Sequence, residues 1–327
     1  MKAFIRFALR SLFAVSCLAA LIVAFGGPGQ PAAMSGINNP FKEIDYSDLP
    51  AVNHFASRDG SKLAFREYAA SRDPVRGSVV LIHGSSARSN SMHVMARAFA
   101  QAGYSTYALD MRGHGDSGPK GHIAYIGQLE DDIEDFMKTV EPAGGATLVG
   151  FSSGGGFALR FAGSERQNLF ASYLLLSPFL GQDAPTYRPN SGGWVSVGLP
   201  RAMAITALDK LGITALNDLP VVNFALNEEA KRFLTPQYSF ALAQNFRPRH
   251  DYRADIRSAN RPMEVLVGQD DETFYAERFA EVFSREGKTV PVTIVPKTGH
   301  IGLTLNPVAI QAAVSAVARM NDASNPS

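Results

Sequence analysis

Three residue types in one order could do chemistry here. Ser152 sits in Gly150-Phe151-Ser152-Ser153-Gly154, a G-x-S-x-G pentapeptide. Asp270 and Asp271 follow in Gly268-Gln269-Asp270-Asp271-Glu272, and His300 closes the run Pro296-Lys297-Thr298-Gly299-His300. A serine hydroxyl is a poor nucleophile until a base takes its proton, and the base must be held in one tautomer by a third group. Serine, then carboxylate, then histidine supplies all three, and the chemistry is acyl transfer through a covalent serine intermediate. The pentapeptide by itself is a frequent chance pattern. No Lys follows in the P-loop position and no G-x-G-x-x-G occurs here, which disfavours a phosphate cradle.

Of the seven histidines only His250 and His300 come after Ser152. His300 follows the apolar run Val290–Val295, whereas His250 has no strand before it. Asp271 is preferred to Asp270 as the acid, because three residues past the turn glycine suits the loop geometry; Asp183 is a distant third. A developing oxyanion needs donors. Ser153 N–H is one, and Ser85 N–H, in the loop after Val79–Ile82, is the other. His83 and Gly84 read as turn and packing residues, and His114 as a structural histidine that shapes its own loop.

These groups need a scaffold to converge. Ala146–Val149 reads as a buried strand, and Phe157, Ala158, Leu159, Phe161 and Ala162 recur at helical spacing, so Ser152 falls on a strand–turn–helix junction. Val52–Ser57 and Leu63–Tyr68 flank Arg58-Asp59-Gly60-Ser61 as a hairpin. Ser78–Ile82, Ser105–Leu109, Ser172–Leu176, Glu264–Val267 and Val290–Val295 are further strands. Helices are expected over Met92–Ala102, Ile126–Val140, Thr273–Arg285 and Pro307–Met320. The acidic face of the second (Glu130, Asp131, Asp132, Glu134, Asp135) reads as a solvated surface. Strands alternating with helices give the fold class as α/β, a mostly parallel central sheet with helices on both faces.

The remaining segments organise around that core. Residues 1–27 have Lys2, Arg6 and Arg10 ahead of an apolar stretch and a Gly/Pro break, the layout of a signal peptide or an N-terminal membrane anchor. The protein is then expected to be exported across, or anchored in, the cytoplasmic membrane. Residues 28–50 read as a linker, 51–178 and 252–320 as the two parts of the core, and 321–327 as a disordered tail. Residues 179–251 interrupt the strand–helix rhythm and are expected to be an inserted helical cap. Its apolar residues (Trp194, Val195, Val197, Leu199, Met203, Ile205, Leu208) could line an acyl pocket or simply form the cap's own core. The 31 basic and 30 acidic residues leave a net charge of +1 with no long charged run, which argues against nucleic acid as a partner. The single cysteine, Cys17, excludes an internal disulfide and a Cys-based metal site.

From Val52 to Met320, apart from the cap, the chain resembles the α/β-hydrolase superfamily. The resemblance rests on His83-Gly84-Ser85-Ser86, Asp110-Met111-Arg112-Gly113-His114-Gly115-Asp116-Ser117, Gly150–Gly154, Gly268–Asp271 and Gly299-His300 in this order. The run from Arg112 through Gly118-Pro119-Lys120-Gly121-His122, with the acidic helix after it, looks like the monoacylglycerol lipase/lysophospholipase branch, often labelled serine aminopeptidase S33-like. That resemblance implies hydrolysis of lipid or small acyl esters with no metal and no organic cofactor. It carries over Ser152 as nucleophile, Asp271 as acid and His300 as base. Two other readings stay open. A serine aminopeptidase would need an acidic group in the cap for a free α-amine, for which Glu228 and Glu229 are available. A catalytically inactive binding protein would keep the fold without the chemistry.

Overall fold

The central strands are buried at every position, so consecutive residues feed opposite faces of one sheet. A computed structural model describes residues 1–34, 39–189 and 193–324. The strands are β1 (Val52–Ala56), β2 (Lys62–Tyr68), β3 (Ser78–Ile82), β4 (Ser105–Leu109), β5 (Ala146–Phe151) and β6 (Ser172–Leu176). After them come β7 (Val195–Val197), β8 (Pro220–Phe224), β9 (Gln237–Ser239), β10 (Met263–Gly268) and β11 (Val292–Val295). Eight of them form one sheet in the order β1-β2-β4-β3-β5-β6-β10-β11, with β2 antiparallel to both neighbours and the six strands from β4 to β11 parallel. Val80, Ile82, Leu148, Leu175, Val265 and Val267 pack with the helices Gln128–Val140, Ser153–Ala162, Tyr252–Ser258 and Phe279–Arg285. Val79, Leu81, Val149, Leu174 and Leu266 pack with His93–Gln101 and Pro307–Ser324 on the other face. The chain leaves β3 toward β4 on one side and returns to β5 on the other. That reversal opens a crevice at the carboxyl ends of β3 and β5, where open α/β sheets bind their ligands.

Four expectations change. The cap carries helices, but also a three-stranded antiparallel sheet, β7-β8-β9. Two of its strands are three residues long and the third begins at Pro220 beside a register shift, too short and irregular to show a period of two. The acidic face of Gln128–Val140 is largely buried: Asp132 pairs with Arg112 at 2.7 Å and Asp135 with Arg58 at 2.9 Å, while Glu130 pairs with Arg160. Those arginines are distant in sequence, so composition could not reveal the pairing. The described parts of the 28–50 stretch, 28–34 and 39–50, are no free linker. Asn223 Nδ2 donates to Gly29 O at 3.1 Å and Met34 N to Ala225 O at 3.0 Å, and Asp48 meets His93 and Arg97 at 3.1 Å each. The last helix runs on to Ser324, so the start of the expected 321–327 tail is helical and its last three residues lie outside the described ones.

The N-terminal segment forms a helix, Lys2–Phe25, whose end abuts the cap. Arg201 Nε donates to Val23 O at 2.7 Å and Nη2 to Ala24 O at 2.9 Å, satisfying carbonyls that a helix C-terminus leaves open. Among the described residues no helix is long and apolar enough to cross a membrane. In the cap, Ile205 is buried, but Leu199 and Met203 are more than half exposed and lie outside the cap's buried apolar cluster.

Candidate active site

The register of β3 and β5 builds the first half of the site. Ile82 lies opposite Gly150, so His83-Gly84-Ser85 emerges beside Phe151-Ser152-Ser153. The turn at Ser152 has φ +54° and ψ −116°, a region that L-residues rarely occupy. It is held by Ser152 N donating to Leu176 O at 2.9 Å, and by Ser152 O accepting from Gly156 N at 2.9 Å and Phe179 N at 3.0 Å. Strand and helix can fold back this tightly only because two positions lack side chains. A Cβ on Gly150 would strike Gly154 O, and one on Gly154 would strike His83 O.

The second half comes from β10 and β11. These strands are parallel with Gly268 opposite Val295. Their loops are stitched together: Gln269 N donates to Val295 O at 2.8 Å and Asp270 N to Thr298 O at 3.0 Å. This places Asp271 and His300 side by side. His300 Nε2 lies 3.0 Å from Ser152 Oγ, and its Nδ1 lies 2.9 Å from Asp271 Oδ2. The imidazole is flanked by Phe151 and Phe274, with ring centroids at 4.8 and 5.3 Å. His300 N–H donates to Glu272 Oε2 at 2.9 Å, which fixes the loop behind the ring.

Asp271 is buried and fully supplied with donors. Oδ2 accepts from His300 Nδ1–H and from Ser177 Oγ–H at 2.6 Å; Oδ1 accepts from Thr273 N at 2.8 Å and Phe274 N at 2.9 Å. Burial pushes its pKa up, but the neighbouring His300 and the donated hydrogen bonds outweigh it and hold the carboxyl below the usual carboxylate range. Asp271 therefore stays anionic, and its orientation leaves His300 Nε2 free to accept the serine proton.

Ser85 and Ser153 meet across the crevice, their hydroxyls hydrogen-bonded to each other. Among the described residues neither Ser85 N–H nor Ser153 N–H has a protein acceptor. Asp270 and Asp183 are exposed and neither bonds to His300; His250 lies far along the chain at the cap's end and makes no contact with Ser152. Ser177 and Glu272 were not singled out from the sequence. Ser177 follows β6 directly, the same position relative to its strand that Asp271 and His300 hold loosely to theirs, and its φ of +40° marks a second strained turn at the rim.

A mostly parallel doubly covered sheet, a strained serine at a strand–helix elbow and an adjoining imidazole and carboxylate define an α/β-hydrolase. Residues 73–300 match the family model described as serine aminopeptidase, S33, and the chain belongs to that family. Among curated proteins it is 32% identical over 138 residues to a monoacylglycerol lipase from Mycolicibacterium smegmatis, covering 40% of this chain and 48% of that one. It is 31% identical over 121 residues to a non-heme chloroperoxidase from Kitasatospora aureofaciens, covering 37% and 42%. The chain thus matches a little under half the length of these relatives. A solved structure of a soluble variant of monoglyceride lipase from Saccharomyces cerevisiae, in complex with a substrate analog, superposes with a TM-score of 0.64. That likeness spans 87% of this chain and 99% of the other at 17% identity, and speaks for the fold.

Proposed function

We propose that the protein is a serine hydrolase of carboxylic esters, acting on lipid or small acyl esters through an acyl-enzyme on Ser152. The observation that carries this is the hydroxyl–imidazole–carboxylate chain at 3.0 and 2.9 Å. His300 Nε2 takes the Ser152 proton as Oγ attacks the acyl carbon. Asp271 keeps the proton on Nδ1 and stabilises the imidazolium. The N–H groups of Ser85 and Ser153 receive the oxyanion. Collapse expels the alcohol with the proton returned from His300, and a water activated by the same nitrogen then clears the acyl group.

The S33 family and the lipase relative support a hydrolase of this kind; the ester, rather than a peptide, is supported by the cap. Glu228 and Glu229 are exposed, Glu228 paired with Lys231 at 2.6 Å, which favours their reading as a solvated helix surface over a receptor for a peptide's α-amine. The basic-then-apolar first 27 residues support export or anchoring at the cytoplasmic membrane, which the N-terminal residue of the mature protein tests. The activity is tested with a fluorophosphonate probe and a series of p-nitrophenyl esters of rising chain length, with monoacylglycerol set against aminoacyl anilides. Wild type is expected to be labelled and to cleave the esters, and Ser152→Ala to do neither. Labelling that survives in Ser152→Ala, or release from anilides alone, would overturn the assignment.

A further inference from the structure

Ser85 N–H lies in the Gly84–Ser85 peptide plane, which is held directly and is further restrained by the anchoring of the next peptide across Ser85 Cα. The first plane, Gly84–Ser85, is held from the core. Its carbonyl accepts from His83 Nδ1–H at 2.8 Å and Ala87 N–H at 3.3 Å, and in a planar trans peptide the Ser85 N–H then points the opposite way, toward the crevice. His83 is kept in that tautomer because its Nε2 accepts from Met111 N–H at 3.3 Å.

The second plane, Ser85–Ser86, is held from the cap. Ser86 is buried at φ +65°, a conformation that must be imposed by its surroundings. Every bond it makes goes to one short stretch of the cap. Its O accepts from Thr235 N at 2.9 Å, its Oγ donates to Thr235 O at 2.6 Å, and its N–H donates to Tyr238 Oη at 2.6 Å. The phenol is itself oriented. His114 Nδ1–H donates to Arg112 O at 3.2 Å, which leaves Nε2 as an acceptor, and Tyr238 O–H lies 2.6 Å from it. The Tyr238 lone pairs are thereby turned to Ser86 N–H. Burial pushes both His83 and His114 below their ordinary pKa, so both stay neutral and keep their acceptor nitrogens.

We propose that Tyr238, a residue of the cap, is a positioning residue for the oxyanion site: its hydroxyl, aimed by His114, fixes the Ser85–Ser86 peptide and so limits how far the adjoining Gly84–Ser85 plane, and Ser85 N–H with it, can rotate. The proposal rests on the serine hydrolase reading given above. It makes the seating of the cap part of the catalytic geometry, in addition to any part the cap plays in holding substrate.

Tyr238→Phe removes the acceptor and keeps the ring, which packs against Phe224 at 4.7 Å and His114 at 5.2 Å. On p-nitrophenyl butyrate we expect kcat to fall about 10- to 100-fold, somewhat less than for loss of a direct donor, with KM within about twofold. Affinity for a trifluoromethyl ketone, which mimics the tetrahedral intermediate, should fall by the same factor as kcat/KM. His114→Gln, which can still accept the phenol proton, should keep most of the activity, whereas His114→Leu should match Tyr238→Phe. The double variant Tyr238→Phe/His114→Leu should then be no worse than either single one. A kcat within twofold of wild type in folded Tyr238→Phe, a change confined to KM, or fully multiplicative losses in the double variant would each overturn the proposal. Wild type that is neither labelled by fluorophosphonate nor active on esters would remove the hydrolase reading and this proposal together. Active wild type with an unaffected Tyr238→Phe removes this proposal alone.

Discussion

Replacing Asp271 by Asn changes one atom in a site whose every neighbour is known. The amide oxygen can stay where Oδ1 is, still accepting from Thr273 N and Phe274 N at 2.8 and 2.9 Å. The NH2 group then replaces Oδ2, facing Ser177 Oγ and His300 Nδ1. Ser177 can turn its hydroxyl and accept. His300 has no such freedom, since its ring is flanked by Phe151 and Phe274. Its Nδ1 must accept the amide proton, and the imidazole must therefore carry its own proton on Nε2, the nitrogen 3.0 Å from Ser152 Oγ. That nitrogen can no longer take the serine proton. A wrong tautomer in an otherwise intact triad costs about 10⁴ in kcat, roughly 5.5 kcal/mol on the barrier. The fold should survive at a cost of about 1–3 kcal/mol, because a charge-assisted bond is exchanged for a neutral one and the buried Ser177 O–H gives up its carboxylate acceptor. The carboxyl's depressed pKa adds a pH signature. Its stabilising contribution is present above the unfolded-state value near 4 and is lost as pH falls through the lower folded value. The stability gap between wild type and variant should therefore narrow at the acid end. The measurements are kcat and KM on p-nitrophenyl butyrate and urea unfolding from pH 3 to 8. Asp270→Asn serves as the comparison, since Asp270 is exposed and joins the site only through its backbone N–H; its kcat should stay within about twofold. A folded Asp271→Asn that retains more than a tenth of wild-type kcat, or an Asp270→Asn that loses most of it, would refute the tautomer reasoning.

Two further expectations concern the scaffold. Arg112→Met should destabilise the protein by about 3–5 kcal/mol in urea unfolding, because it strands the buried Asp132, whose carboxyl burial already pushes up, with only Ser57 Oγ at 2.8 Å as a remaining side-chain donor; Arg112→Met/Asp132→Leu should recover part of that loss. Asp255 has its pKa pushed up to about 6 by burial, against the pull of Arg249 N and Nη1. The folded state thus holds a proton that the unfolded chain releases near pH 4, and stability should decline between about pH 4 and 6, by up to roughly 3 kcal/mol. Asp255→Asn should flatten that part of the urea-midpoint profile, and an unchanged slope would show that Asp255 is not its source.

What the sequence made legible is what short stretches carry on their own. Ser78–Ile82 is apolar at all but its first position, and a strand buried on both faces needs just that. The G-x-S-x-G pentapeptide declares its turn because the two glycines are where side chains would collide. Asp271 and His300 each follow a run that reads as a strand, so their nearness at one rim follows from a parallel sheet without any knowledge of distance. The acidic helix shows the opposite case. Glu130, Asp132 and Asp135 look like a solvated face in sequence, and only the arrival of Arg160, Arg112 and Arg58 from other elements makes them a buried network. Short cap strands fail for a similar reason: three residues cannot display a period, and pairing with neighbours gives Val195–Val197 its form.

The same distinction separates the groups that react from those that aim them. A nucleophile, base and acid are constrained in residue type by their chemistry, so sequence exposes them. An orienting group is constrained only to present a donor or acceptor at one point in space, and Ser177, Glu272 and Tyr238 meet that need from three unrelated places. Ser177 steadies the carboxylate, Glu272 holds the backbone of His300, and Tyr238 holds the Ser85–Ser86 peptide. The positive φ at Ser86 and at Ser177 carries no sequence mark, because serine is not the residue those angles favour. Strain at such positions persists only where several bonds oppose it. The cap supplies those bonds for Ser86, so the segment whose sequence says least about fold is tied by hydrogen bonds to the loop that carries one of the two oxyanion donors.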